Sequence, residues 1–371
     1  RKELVKEVHA LDSSRPVTEA ICGFWDHTGQ KWSTTAQAYA DLDVGGYNYL
    51  NNQYEADHVE FPERIMVGTE SYPAEAYAFW KQVEKNSWVI GDFVWTAMDY
   101  LGETGCGNSS YDLKEGQRVG LKLWPWFNAF CGDIDLCGFK KPQLFYRDVV
   151  WNNSKLEMMV HAPIPEGMKE TVSPWGWPDE YQSWNWSGNE GKLMDVRVFS
   201  SYPVIRLELN GKIIAEQSVS DSSKFIVNFK VPYEPGVLKA IAMVNGIEVA
   251  SKELRTTGAP AKIKLIADRK KIKADRNDLS YVKVEITDAQ GNVVPNANIP
   301  VTFTVSGVGE IAGSGNACPY DMESFNNPVC KTYHGQALAI LRPLKAVKAG
   351  TITLRAEANG LISEEISITV Q

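Results

Sequence analysis

The residues whose types could do chemistry gather around one carboxylate, Glu70, in the stretch Arg64-Ile65-Met66-Val67-Gly68-Thr69-Glu70-Ser71-Tyr72-Pro73. A short apolar run with Arg64 before it and Pro73 behind it reads as a buried strand, and Glu70 stands at its C-terminal end. Alone, a Glu in that place reads as a surface-turn residue. Its company changes the reading. Three other expected strands end at Trp25, Asp26 and His27, at Tyr47, Asn48 and Tyr49, and at Trp95, Asp99 and Tyr100. If the strands run parallel, these ends share the face on which barrel active sites are built. A carboxylate flanked by Tyr and Trp suits sugar chemistry. The carboxylate can attack an anomeric carbon, a Tyr hydroxyl can hold the carboxylate, and a Trp face can floor the ring. Taken singly, Tyr47, Tyr49 and Trp95 read as core packing. Their joint placement makes them, with Asn48, candidate substrate-binding residues.

The elements that must position these residues alternate over the first 100 positions. Leu4, Val8 and Leu11 recur at helical spacing before Asp12-Ser13-Ser14-Arg15-Pro16 stops the helix. Residues 17–24 and 44–49 read as strands, with helical character over 34–42 and 54–61. Ala76, Phe79, Trp80 and Val83 form the apolar face of a helix over 74–85. The run WVIGDFVW at 88–95 reads as a strand buried on both faces. Helix–strand alternation points to βα units and a parallel sheet, but four strands are half of a closed eight-stranded barrel. Either the sheet is small and open, or the chain begins in the middle of a barrel.

From Tyr111 to Phe139 the helical pattern fades into a Gly- and aromatic-rich stretch, and residues 140–151 resemble a last barrel helix or a docking linker. The period then changes to two. Alternating runs over 156–255, with hairpin turns at Asn210-Gly211 and Asn245-Gly246, give a β-sandwich. Thr256-Thr257-Gly258-Ala259-Pro260 is a linker, and the strands after it fit a second, immunoglobulin-like sandwich. The expected domains are 1–145, 146–257 and 258–371.

The chain has 371 residues and a net charge of −8, from 38 basic and 46 acidic side chains. That balance, with no Lys/Arg block, argues against a nucleic-acid partner, and no apolar run reaches the ~18 residues of a membrane span. Six cysteines are too scattered for a disulfide scaffold. Cys318 and Cys330 bracket one long loop, and a disulfide between them stays open. Five dispersed histidines argue for no metal site, and no cofactor motif is present. All 12 Trp precede residue 190, and four of them (Trp175, Trp177, Trp184 and Trp186) crowd a domain boundary, where interdomain core is the simpler reading than a sugar platform.

Four ordered segments, DSSRPVT, DVGGYNY, RIMVGTESYP and WVIGDFVWTAMDYLGE, resemble the second half of the catalytic barrel of family-2 glycoside hydrolases. That family includes β-galactosidases, β-glucuronidases and β-mannosidases. The segments after residue 123 are similar to the region following the barrel in β-galactosidase-type members. The resemblance implies a (β/α)₈ barrel half followed by two immunoglobulin-like sandwiches, and a retaining mechanism acting on β-galactosides. It puts Glu70 at the position of the nucleophile, Tyr47 or Tyr49 at that of a Tyr bonded to it, and Trp95 on the −1 subsite. One departure stands out. The family's acid/base Glu lies in an Asn-Glu pair ending the fourth barrel strand, and here the one such pair, Asn189-Glu190, falls inside the sandwich pattern. The expectation is a C-terminal portion inactive by itself, self-associating through its exposed half-barrel, from a periplasmic or secreted bacterial enzyme. The rival is a non-catalytic carbohydrate-binding or scaffold protein.

Overall fold

The computed structural model describes residues 1–25, 27, 29–111 and 122–371, so Asp26 and part of the Gly- and aromatic-rich stretch lie outside the described residues. The first unit contains helix α1 (Lys2–Leu11), strand β1 (Thr18–Cys22), α2 (Ala36–Tyr39), β2 (Val44–Asn48), α3 (Tyr54–Glu60), β3 (Met66–Ser71), α4 (Ala76–Lys85) and β4 (Val89–Val94). The four strands form one parallel sheet in the order β1-β2-β3-β4. Parallel neighbours need a crossover between them, and here each crossover carries helical turns. The central strand β2 is a close fit. A side chain at Gly46 would sit 2.4 Å from the Glu19 carbonyl of β1, so only glycine lets the three strands approach. Between sheet and helices lies a core of Ile21, Tyr39, Tyr47, Tyr54, Met66 and Val89.

Beyond it, α5 (Pro142–Val150) leads into two all-β units. In the first, the sheet ordered Glu180–Tyr181, Leu156–His161, Leu193–Ser200, Ile226–Pro232 faces a sheet ordered Lys212–Ser218, Val204–Leu209, Val237–Val244, Ile247–Arg255. Met158, Val196, Val198, Ile205, Leu207 and Leu238 meet between them. Both Asn-Gly turns join antiparallel strands with positive φ at Asn and Gly, the geometry that matches strand twist in a two-residue hairpin. The second unit stacks a four-stranded sheet on a five-stranded one around Val284, Leu341, Ile352 and Leu354. Ala76 and Tyr77 of α4 and Tyr146 and Val149 of α5 pack on Met159 and Phe199, which joins the parallel-sheet unit to the first all-β unit.

Two expectations change. β4 is not buried on both faces: Ile90 and Phe93 are 59% and 64% exposed. Among the described residues it is the outermost strand, paired only with β3, and α4 covers one of its faces. On α1 the residue that packs is Val5, while Leu4, Val8 and Leu11 face outward beside the sheet's other edge. All six cysteines are free, including Cys318 and Cys330.

Candidate active site

Glu70 is the fifth residue of β3 and is half-buried. A register shift between Tyr47 and Asn48 brings Asn48 of β2 directly opposite it. Asn48 Nδ2 donates to Glu70 Oε1 at 2.6 Å, while Thr69 Oγ1 donates to Asn48 Oδ1 at 2.7 Å. The second bond fixes which way the amide points, so the Asn48 NH₂ is aimed at the carboxylate. Tyr49 follows with φ 58°, a left-handed conformation unusual for an aromatic residue. In an extended strand Tyr49 would point away from Asn48. The left-handed turn brings it back to the same side, where its hydroxyl lies near enough to the Glu70 carboxylate to feel its charge. Its ring stacks on Tyr72 at 4.3 Å between centroids and meets Trp25 at 5.6 Å. Burial, together with the neighbouring Glu70, raises the Tyr49 hydroxyl above its ordinary pKa, so it stays a donor.

Trp175 completes this corner from 126 positions away. Its indole Nε1 donates to the Tyr49 hydroxyl at 2.8 Å, and its ring lies 5.9 Å from Tyr72. The sequence reading grouped Trp175 with interdomain core and so missed it. Three of that group do sit in packing positions: Trp177 in the interdomain cluster, Trp184 buried inside the first all-β unit, and Trp186 against the same core. The signal that was available is the aromatic density of Trp175-Gly176-Trp177-Pro178, but nothing in it singles out the one ring that reaches across.

Tyr47 is not at this site, which corrects its place among the substrate-binding candidates. One residue before Asn48 on a strand means the opposite face. Tyr47 is fully buried on the helix side, donating to Asp57 Oδ2 at 2.8 Å and accepting from Arg64 at 3.0 Å. Asp57 is also held by Arg64 at 3.0 Å and Trp32 Nε1 at 2.9 Å. Trp95 follows β4, its N–H bonded to the Ser71 carbonyl, with its ring edge-on to Tyr100 at 6.1 Å. Its position is therefore beside the end of β3. Asp99 is drawn elsewhere, into a buried pair with Lys141 at 2.9 Å that also accepts the Gly132 N–H.

A second carboxylate near the strand ends, Asp92, is sealed off. Its side chain is 1% exposed; it accepts from Ser71 Oγ at 2.9 Å and faces Arg147 at 3.7 Å. Burial pushes it up to about 6 against the pull of Arg147. It braces β3 against β4 and α5 and offers nothing to a ligand. Glu190, the other carboxylate singled out by the sequence, caps the Gly188 N–H in a turn of the first all-β unit. Among the described residues no cluster of His, Cys, Asp or Glu could hold a metal ion. What the strand ends offer is a carboxylate held by the Asn48 amide with the Tyr49 hydroxyl beside it, and aromatic rings on one side. That arrangement suits nucleophilic attack on a flat-faced, polyhydroxylated substrate.

Residues 263–367 match the model of glycoside hydrolase family 2 C-terminal domain 5, and residues 191–250 match a domain of unknown function, DUF4982. The whole chain aligns at 28% identity with 43% of a β-galactosidase of Bacteroides ovatus. Another relative, a putative β-glucuronidase of Formosa agariphila, is 25% identical over 76% of this chain and 24% of its own length. Among solved structures, a glycosyl hydrolase family 2 member of Bacteroides cellulosilyticus superposes over the full chain with a TM-score of 0.87 and 37% identity, covering 46% of that protein. The chain thus spans less than half the length of these relatives.

Proposed function

Because the chain belongs to glycoside hydrolase family 2, we propose that Glu70 is the nucleophile of a retaining glycosidase that acts on β-galactosides. The observation that carries this reading is the Asn48 Nδ2 donor on Glu70 at 2.6 Å, with the Tyr49 hydroxyl beside the carboxylate, at the C-terminal ends of parallel strands. In the first step Glu70 attacks the anomeric carbon and the leaving group departs with a proton, giving a covalent glycosyl-enzyme. Water then releases the sugar with retained configuration. Asn48 orients the carboxylate for attack, with the Tyr49 hydroxyl beside it. Tyr72, Trp25 and Trp175 form an apolar wall, and Trp95 extends it from the next strand.

In this reading the four-stranded parallel sheet is half of a (β/α)₈ barrel and the two all-β units are immunoglobulin-like. The retaining route also needs a proton donor, a second carboxyl about 5–5.5 Å from the nucleophile, and Glu190, on a sandwich turn, does not fill that place. The 371 residues alone are then inactive, and the outward-facing Ile90 and Phe93 of β4 favour self-association. A periplasmic or secreted location goes with a polysaccharide-derived substrate. Galactose is favoured over glucuronate or mannose by the likeness to a named β-galactosidase.

The test is hydrolysis of nitrophenyl β-galactoside, β-glucuronide and β-mannoside by this chain and by a polypeptide of the relatives' full length, each with Glu70 and with Glu70→Gln. The long form is expected to cleave one substrate and lose at least about 10³-fold in kcat with Glu70→Gln. Unchanged turnover in that variant would make Glu70 structural and move the non-catalytic binding protein ahead.

A further inference from the structure

We propose that the cleft where the three units meet is a second saccharide site, selective for an oligosaccharide that carries carboxylate or sulfate groups. It rests on the reading of this chain as a saccharide-acting protein, but not on Glu70. The cleft has a volume of about 690 Å³ and shares no residue with the corner around Glu70, Asn48, Tyr49 and Trp175. That volume falls in the ~300–1,000 Å³ range of ligand sites, which favour junctions between domains.

The walls differ in chemistry. One is aromatic: Tyr181 of the first all-β unit and Tyr333 of the second flank His334, with centroid distances of 4.7 and 4.1 Å. Flat rings gathered along a cleft are surfaces on which a sugar's apolar face can rest. The polar lining is charged, and its anions are already engaged from inside the protein. Glu180 accepts from Arg197 and Trp177, both at 2.9 Å. Asp179 accepts from Tyr111 at 3.0 Å, and Asp135 accepts the N–H groups of Cys137 and Phe139. Among the cations, Lys141 is likewise engaged, by Asp99.

Three cations remain, one from each part of the junction. Lys140 comes from the loop before α5, Arg255 from the first all-β unit and Lys283 from the second. Their side chains are 50%, 52% and 40% exposed: Lys140 pairs with the mostly buried Asp148, Arg255 with the exposed Glu253, and Lys283 stands 4.0 Å from Glu285, which Lys264 already holds at 3.1 Å, so in each pair the cation stays open to solvent. Such pairs hold their members weakly, so an incoming anion can compete. α5 adds its N-terminus, whose first turn lines the same cleft at Pro142 and Gln143. Gln143 is 2% exposed, and among the described residues its Oε1 meets no donor, so a sugar hydroxyl can supply one. A chain of net charge −8 repels anions in general. A cleft that gathers Lys140, Lys141, Arg255 and Lys283 against Asp135, Asp179 and Glu180 is therefore the place on this chain where an anionic ligand meets the least repulsion.

The experiment is a calorimetric and NMR titration of this chain with an oligogalacturonide, a sulfated galacto-oligosaccharide and a neutral galacto-oligosaccharide, at low and at physiological salt. Wild type, Glu70→Gln and the double variant Arg255→Ala/Lys283→Ala are compared, and thermal midpoints check that the exposed substitutions leave the fold intact. The expected result is that one acidic ligand binds at least about tenfold tighter than the neutral one and that salt weakens it. The double variant should lose about tenfold or more, while Glu70→Gln binds like wild type. The arm that binds tells carboxylate from sulfate. Equal binding of neutral and acidic ligands, an unaffected double variant, loss of binding with Glu70→Gln, or no binding of any arm at millimolar concentration would overturn the proposal. Failure of the nucleophile assignment leaves every one of these readings unchanged.

Discussion

Replacing the two adjacent tyrosines of β2 one at a time separates a structural hydroxyl from a site hydroxyl. Tyr47→Phe removes a buried group that donates to Asp57 and accepts from Arg64. Hydrogen bonds to charged partners contribute about 1.5–3 kcal/mol. Asp57 keeps Arg64 and Trp32, so no bare carboxylate is left behind and the lower end of that range applies, about 1.5–2 kcal/mol. At roughly 2–4 °C per kcal/mol for a unit of some 150 residues, the thermal midpoint of the parallel-sheet unit falls by about 3–8 °C. Tyr49→Phe removes a hydroxyl at a half-open site, and the cost to stability is about 1 kcal/mol or less. Differential scanning calorimetry of both variants reads the order directly. In the full-length form the ranking reverses for catalysis: Tyr49→Phe loses kcat and Tyr47→Phe keeps it. A Tyr47→Phe variant as stable as wild type, or one that lost activity while Tyr49→Phe did not, would refute the placement of the two residues on opposite faces.

Three further outcomes are expected. Trp175→Phe in the full-length form keeps the ring and loses the indole donor; kcat/KM should fall about 3–10-fold, the worth of one neutral hydrogen bond, and an unchanged value would leave Trp175 a packing residue. Cys106 and Cys131 lie on segments joined by the Phe130 N–H to Cys106 carbonyl bond, and the nearby Cys131 raises the Cys106 thiol. Excess small-molecule disulfide should oxidise this pair, releasing two small thiols per protein bond formed, and peptide mapping that found Cys318–Cys330 instead would be the adverse result. Burial works against the charged form of His161, but Glu170 at 2.8 Å and the Ala162 carbonyl carry it up to about 9. Because the folded value lies above the ordinary one, its contribution, at most about 3 kcal/mol, is complete below about pH 6.5 and disappears as pH rises through 9. Urea unfolding of wild type and His161→Gln should therefore differ near pH 6 and converge near pH 10; a constant gap would contradict the pairing.

Much of the architecture was legible because it rests on local periodicity. The helix–strand alternation of the first unit, the Ala76–Phe79 face of α4 and the Asn-Gly hairpins all follow from spacing and turn chemistry. Glu70 was legible as the polar end of an apolar strand. The face of Tyr47 was not, because the register shift before Asn48 and the left-handed Tyr49 break the two-residue alternation where it matters. Nor could the apolar pattern of residues 88–95 tell an outer strand from an inner one, since exposure depends on what else lies against the sheet. Trp175 was out of reach for a different reason. Its partner lies 126 positions away, and no periodicity pairs residues across a domain boundary.

That long-range bond also bears on how such proteins can be recombined. The indole that holds Tyr49 arrives on the segment between Leu156–His161 and Leu193–Ser200, so the parallel-sheet unit and the first all-β unit form one inheritable block. A chimera cut at α5, joining this parallel sheet to another relative's C-terminal half, keeps Glu70 and Asn48 but inherits whatever residue that relative holds opposite Tyr49. Shuffling junctions placed after Arg255 keep the corner intact, and libraries built there should retain far more function than libraries built at the apparent domain seam.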